Sequence, residues 1–191
     1  AGWGETLYAK DVFPDTPLVN YFEFFYHSTG ADTGFDPEYP MEADDYLRIR
    51  TKNAVNLLCL NGCDAGISPT EWQHSTFPEE YLGKISVIHE GINTDAVKPD
   101  AAARLVLEDG RVLTKADEVI TYVARDMEPY RGFHIFMRAA EEICRRRPKA
   151  HILIVGSDGV SYGRRLPNGQ TYKQKMLNEV NIDASRVHFL G

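Results

Sequence analysis

The second half of the chain alternates short apolar runs with amphipathic stretches. Residues 119–124, 151–155 and 186–190 are runs of strand length that are rich in β-branched, aliphatic and aromatic residues. Between the first two runs, apolar residues recur at helical spacing over 133–144. Between the second and third runs, Thr171 is suited to cap a second helix. Strand, helix, strand, helix, strand predicts a parallel sheet with right-handed crossovers.

The first half is less regular but follows the same order of elements. Its apolar runs predict three strands and one long helix, namely strands 18–22, 65–68 and 85–88 and helix 42–61. The apolar helix residues predicted to share one buried face are Leu47, Val55, Leu58 and Cys59. Thr70 is suited to cap a further helical turn.

The two halves are expected to be separate domains of one fold class. Residues 105–113 predict a hairpin, and its Asp109-Gly110 pair is the pair preferred in a type I′ turn. We place the boundary just before this hairpin, giving domains 1–96 and 97–191. The predicted fold class is α/β, with Rossmann-like parallel sheets in two partial domains.

Composition narrows the class of protein. Of 191 residues, 43% are hydrophobic and 26% charged, which is ordinary for a folded soluble domain. No apolar run has the roughly 18 residues that a membrane span needs. Three cysteines do not make a disulfide framework, and the histidines and cysteines show no metal-ligand spacing. The chain starts at Ala1 and stops after a strand, so we expect a piece of a longer protein.

Charge divides the chain at the same place. Residues 1–96 hold five basic and 16 acidic side chains, a net charge of −11, whereas residues 97–191 carry +4. A nucleic-acid module is usually basic overall, so a nucleic-acid partner is not expected. A basic second half suits a small anionic ligand, although solvated charged faces explain it equally well.

The loop after strand 119–124 carries the strongest chemical signal. It contains Arg125 and Arg131, and Gly132 stands where the next helix opens. Ligands of parallel sheets bind beyond the carboxyl ends of the strands, where a helix N-terminus favours an anion. Guanidinium groups are suited to phosphate oxygens. These residues predict a phosphate site, with solvated surface arginines as the alternative.

Three further segments are weaker candidates. Gly156, Asp158 and Gly159 follow the next strand and would reach the same sheet edge, or form a plain turn. Gly91 follows strand 85–88 and allows a close backbone approach, or an interdomain turn. Glu23 lies between two phenylalanines at a strand end, where it is a candidate general base or simply an outward-facing side chain.

Taken together, the motifs resemble those of GT-B glycosyltransferases in the retaining family 4. The segment 122–132 resembles that family's Arg…Lys-Gly loop, with Arg131 where lysine is commoner. Residues 88–93 resemble its interdomain Pro-Asn-Gly-Val-Asp segment, and 153–159 and 187–191 resemble its second and third strands. The opening residues 2–7 also resemble a segment of a bacterial subgroup. The family's early glycine-rich loop and its downstream Glu-x7-Glu region are absent from the chain.

This resemblance implies a central fragment, running from the end of the acceptor domain into the donor domain. The complete enzyme would move a hexose from a nucleotide diphosphate sugar to a glycan or lipid-linked acceptor, with no cofactor or metal. Arg125, Arg131 and Gly132 would hold the donor diphosphate, and Glu23 would lie on the acceptor side. The loops around the donor nucleotide would contain Gly91, Gly156, Asp158 and Gly159. A cytoplasmic enzyme is expected, with peripheral attachment to the inner face of the membrane as the alternative, and the fragment alone should be inactive. A GT-B epimerase or phosphorylase, or a non-catalytic binding module, remains open.

Overall fold

The computed structural model describes residues 4–31 and 33–191, and it is an α/β protein. Residues 2 and 3 of the opening motif lie outside the described part. The chain divides into two compact units, Ala1–Val97 and Lys98–Gly191. Each unit has a three-stranded sheet whose neighbouring strands all run parallel. The predicted class, Rossmann-like parallel sheets with helical crossovers, is confirmed.

The first unit builds its sheet in chain order, β1-β2-β3. Its elements are α1 (Ala9–Val12), β1 (Val19–Tyr21), α2 (Ala43–Gly62), β2 (Ala65–Ser68), α3 (Glu71–Ser75), α4 (Glu79–Leu82) and β3 (Ile85–Val87). The predicted cap of α3 is confirmed, because Thr70 Oγ1 accepts a hydrogen bond of 3.1 Å from the Gln73 amide. The core of this unit forms around Phe22, Leu60 and Phe77.

The predicted buried face of α2 is wrong in part. Cys59 is buried, but Leu47 and Leu58 are 65% and 57% exposed. At 3.6 residues per turn these two leucines lie opposite Asn56, and Asn56 is at the centre of the face that is buried. Its side-chain amide donates to the Phe24 carbonyl at 3.0 Å. Because the residue at the middle of the buried face is polar, the positions of the apolar residues alone predict the wrong face.

The second unit also builds its sheet in chain order, β6-β7-β8. Its elements are β4 (Arg104–Val106), β5 (Val112–Thr114), β6 (Val119–Asp126), a 3-10 helix (Pro129–Arg131), α5 (Phe133–Arg146), β7 (His151–Ser157), a second 3-10 helix (Pro167–Gly169), α6 (Tyr172–Glu179) and β8 (Val187–Phe189). Thr171 caps α6 as predicted, accepting from the Gln174 amide at 3.2 Å.

The hairpin β4–β5 is present, but its predicted type I′ turn is wrong. The Gly110 amide donates to the Leu107 carbonyl at 3.0 Å, and the Leu107 amide donates to the Arg111 carbonyl at 2.8 Å. Gly110 has a φ of +85°, whereas Asp109 does not have the positive φ that a type I′ turn requires at both central residues. The connection is a three-residue loop that ends in a left-handed glycine.

No described helix combines the length and the apolar character needed to cross a membrane.

Candidate functional site

The two predicted arginines stand at the carboxyl end of β6, in different backbone settings. Arg125 is the last but one residue of the strand itself, and does not lie in the following loop as predicted. Arg131 ends the 3-10 helix Pro129–Arg131. Both side chains are exposed, and within the described part of the chain neither forms an ion pair with a carboxylate. Their charge is therefore available to a ligand.

A bulge in β6 marks the point where Arg125 emerges. Val123 pairs with Val155 and Asp126 pairs with Ser157, so Ala124 and Arg125 together face Gly156. A Cβ atom on Gly156 would lie 2.5 Å from the Ala124 carbonyl oxygen. Bulges of this kind are common where a strand redirects side chains at a site. The close backbone approach explains the glycine at position 156, whatever its role toward a donor.

Gly132 joins the 3-10 helix to α5. Its φ of +68° places it in the left-handed region, where a glycine is favoured. The turn is supported from within, because the Tyr122 hydroxyl donates to the Arg131 carbonyl at 3.0 Å. Burial raises the pKa of Tyr122 to about 12. The α5 N-terminus and Arg131 are thus held on the same side of the sheet edge, where the helix dipole favours an anion.

Asp126 is a buried carboxylate that the sequence analysis missed. It is 7% exposed and accepts hydrogen bonds from the hydroxyls of Ser157 and Ser161. These two bonds hold the pKa of Asp126 below its usual value, and the charges of Arg125 and Arg131 add to the effect. The sequence did contain one signal for this residue: Asp126 continues the alternation of inward-facing positions along the strand 119–124.

Gly159 and Asp158 lie in the loop above this carboxylate. A Cβ atom on Gly159 would lie 2.5 Å from Asp126 Oδ1, so the loop passes directly over the acid. Asp158 is exposed. The packing on Asp126 accounts for the glycine, and the donor role predicted for both residues stays a prediction.

Glu128 is a second missed carboxylate and is fully buried. Its Oε2 accepts from the backbone amides of Tyr162 and Gly163, at 3.1 and 2.9 Å. The Tyr162 ring lies under the Arg131 guanidinium, 5.1 Å from ring centroid to guanidinium carbon. The loop after β7 is therefore connected to residues 127–132, the arginine loop after β6, by the buried acid Glu128 and the ring of Tyr162.

The predicted residues of the first unit lie on a different kind of sheet edge. Glu23 follows β1 and is exposed, while Phe22 beside it is 1% exposed. Glu90 follows β3, and its Oε1 accepts from the Tyr21 hydroxyl at 2.6 Å. Burial, and then Glu90, raise the pKa of Tyr21 to about 12. Gly91 is exposed with a φ of +77°, as a tight turn requires.

Among residues 4–31 and 33–191, no group of three or more His, Cys, Asp or Glu side chains is arranged to hold a metal ion. That transfer needs no metal stays a prediction.

Two parallel sheets with helical crossovers are consistent with a Rossmann-like fold of the GT-B type. The family model described as the glycosyl transferase family 4 group matches residues 1–97, and the chain belongs to this family. Its general activity is the transfer of glycosyl groups. No curated protein matches the chain. The matched region is the first unit, so the arginine loop lies in the part of the chain that the family model does not match.

Proposed function

We propose that the chain belongs to an enzyme that moves a hexose from a nucleotide diphosphate sugar to a glycan or another hydroxyl acceptor, with retention of configuration. One observation carries the proposal. Arg125 and Arg131 are exposed and have no carboxylate partner in the described residues, and Arg131 directly precedes the N-cap of α5. In a glycosyltransferase, an unneutralised pair of guanidinium groups is suited to the diphosphate of the donor.

In the proposed reaction, the bond from the anomeric carbon to the diphosphate oxygen breaks and the diphosphate keeps the electron pair. A new bond forms between that carbon and the acceptor oxygen, and the acceptor hydroxyl gives its proton to the leaving diphosphate. Negative charge develops on the leaving diphosphate. Arg125 and Arg131 would stabilise it electrostatically, which requires no metal ion. Gly156, Asp158 and Gly159 would lie along the same edge of the donor site.

The acceptor would belong to the first unit in this proposal. Glu23 is exposed at the end of β1, and a carboxylate there accepts hydrogen bonds from sugar hydroxyls. Gly91, in the segment after β3, would instead allow a close backbone approach to the donor. Glu23→Gln should then raise the KM for the acceptor in the complete enzyme while leaving nucleoside diphosphate binding unchanged.

Calorimetric titration with UDP and GDP tests the donor site. We expect Arg125→Ala and Arg131→Ala each to weaken binding about tenfold, the loss of a charge-assisted hydrogen bond. Arg104→Ala is the matched control, since Arg104 is an exposed arginine of β4, away from the loop. Equal affinities for all three variants and the unaltered chain would contradict the proposal.

Product analysis on the complete enzyme tests the reaction. A transferase releases nucleoside diphosphate in proportion to the glycosylated acceptor it forms. We expect Arg125→Ala to lower this turnover at least tenfold. Nucleotide binding without any turnover would instead favour a non-catalytic module, and an epimerised sugar would favour the epimerase alternative.

A further inference from the structure

The loop after β7 is fixed to the end of β6 by two buried acids. Ser161 donates its hydroxyl to Asp126, and the next two backbone amides, of Tyr162 and Gly163, donate to Glu128. Three consecutive residues are thus bonded to carboxylates on the neighbouring strand end. An exposed loop held at three consecutive positions has little freedom to move its middle residue.

That middle residue is Tyr162, and its ring faces Arg131. The ring centroid lies 5.1 Å from the guanidinium carbon, within range of a cation–π interaction. Tyr162 is 49% exposed, so the core does not require its ring. Within the described residues, the ring is the one group shown to contact the Arg131 guanidinium.

A ring and a carboxylate would hold an arginine with different consequences. A carboxylate would bind the N–H edge and neutralise the charge, which would leave little for an incoming anion. An aromatic ring contacts the flat face, leaving the N–H donors on the edge and the full positive charge in place. A contact of this kind fixes the side chain in advance, and so lowers the entropy lost when a ligand binds.

We propose that Tyr162 is a positioning residue for Arg131, with Glu128 holding Tyr162 in place. This inference rests on the proposed function, because it takes Arg131 to bind the donor diphosphate. Neither Tyr162 nor Glu128 needs to touch the donor. Their effect on donor binding should pass entirely through the orientation of Arg131.

The first test compares three substitutions by calorimetry with UDP and GDP. Tyr162→Leu removes the ring, and we expect binding to weaken about threefold to fivefold. Tyr162→Phe keeps the ring and should bind as the unaltered chain does. Tyr46→Leu is the matched control, since Tyr46 is an exposed tyrosine of the first unit, 41% exposed against 49%. Equal binding by Tyr162→Leu and the unaltered chain would overturn the inference.

A double-mutant cycle separates positioning from a structural role. If Tyr162 acts through Arg131, Tyr162→Leu should cost nothing further in a chain that already carries Arg131→Ala. A structural role would weaken binding by the same factor in both backgrounds, and that result would overturn the inference. Glu128→Gln should weaken binding in the same direction as Tyr162→Leu. Because Glu128 is buried and its variant could fail to fold, the decision rests on the Tyr162 variants, whose folding circular dichroism checks.

The two proposals fail in different ways. If Arg131→Ala binds both nucleotides as the unaltered chain does, or if the folded unaltered chain binds neither, the proposed donor site is wrong and the inference is wrong with it. If Arg131→Ala weakens binding while Tyr162→Leu does not, the donor site stands and only the positioning role of Tyr162 is wrong.

Discussion

The carboxyl ends of the two parallel sheets have the same architecture and opposite chemistry. In the second unit, exposed arginines stand above buried carboxylates, and residues 97–191 carry a net charge of +4. In the first unit, the exposed groups are the carboxylate of Glu23 and the Tyr21–Glu90 pair, and residues 1–96 carry −11. The basic edge favours an anion, whereas the acidic edge favours a ligand with hydroxyl groups.

The edges also differ in how firmly their loops are held. Asp126 and Glu128 are buried, and they accept hydrogen bonds from the Ser161 hydroxyl and from backbone amides of the loop after β7. Glu90 is exposed, and its bond to Tyr21 is an exposed one. Exposed polar contacts contribute less to stability than buried ones, because water competes for them. We therefore expect substitutions at the second edge to have the larger effects.

Alanine at two glycines gives the largest contrast. At Gly156 a Cβ atom would meet the Ala124 carbonyl oxygen at 2.5 Å, so either β6 or β7 must shift. We expect Gly156→Ala to lower the free energy of unfolding by about 3 kcal/mol. At Gly91 nothing lies within 4 Å, and only the positive φ opposes a side chain. Gly91→Ala should cost about 1 kcal/mol.

Thermal unfolding by calorimetry measures both variants against the unaltered chain. Hydrogen exchange then assigns the loss, which for Gly156→Ala should fall on amides of the second unit. If Gly156→Ala lowers the free energy of unfolding no more than Gly91→Ala does, the bulge in β6 adapts to the added side chain. The two sheet edges would then not differ in rigidity.

Most of the fold could be predicted because its strands and α5 have clear periodicity. The predicted strand 65–68 agrees with β2, and the apolar positions of 133–144 identify α5. The failures came where a polar group replaced an apolar one or where backbone geometry decided. Asn56 sits at the centre of a buried helix face, and Asp109 lacks the positive φ that its sequence suggests. Neither can be determined from residue type alone.

The arginines of the candidate site could be predicted, and their supports could not. Arg125 lies at the end of an obvious strand, and Arg131 lies between that strand and a helix, which is a local pattern. In the sequence, Glu128 looks like an ordinary loop acid, and Asp126 is marked only by its place in the inward alternation of β6. Their partners lie more than 30 positions further along the chain, at Ser161 to Gly163. Only the parallel pairing of β6 with β7 brings them together.

Substitution of Glu90 is expected to have a smaller effect, confined to the first edge. After burial, the hydrogen bond and the charge of Glu90 raise the pKa of Tyr21 to about 12, so Glu90→Gln should lower it toward 10. Tyr122 has a raised pKa of about 12 because of burial, and it should not change. Difference absorbance at 295 nm during an alkaline titration detects the tyrosinate. If the tyrosinate absorbance of Glu90→Gln and of the unaltered chain is the same from pH 10 to 12, this account is wrong.

The same contact makes stability depend on pH. Because the folded pKa of Tyr21 lies above its unfolded value, the stabilisation is complete below about pH 10 and is lost as the pH rises toward 12. Glu90→Gln should therefore lose less stability than the unaltered chain in this window, which is measured as a smaller fall in melting temperature between pH 9 and 11.

The smallest expected effect lies at the β7–β8 pairing of the second unit. His151 Nδ1 and His188 Nε2 are 3.2 Å apart. Burial, and then the charges of Arg111 and His151, lower the pKa of His188. A lowered histidine pKa means that the unfolded chain takes up the proton first. Stability should therefore be complete above about pH 6.5 and should fall as the pH drops from there toward the lower folded pKa.

His188→Gln tests this dependence, with His89→Gln as the control from the first edge, where His89 is exposed. Melting temperatures at pH 5 and pH 8 should differ less for His188→Gln than for the unaltered chain, because a glutamine takes up no proton. The control should keep the full difference. If both variants keep it, the half-buried histidine pair does not carry the pH dependence.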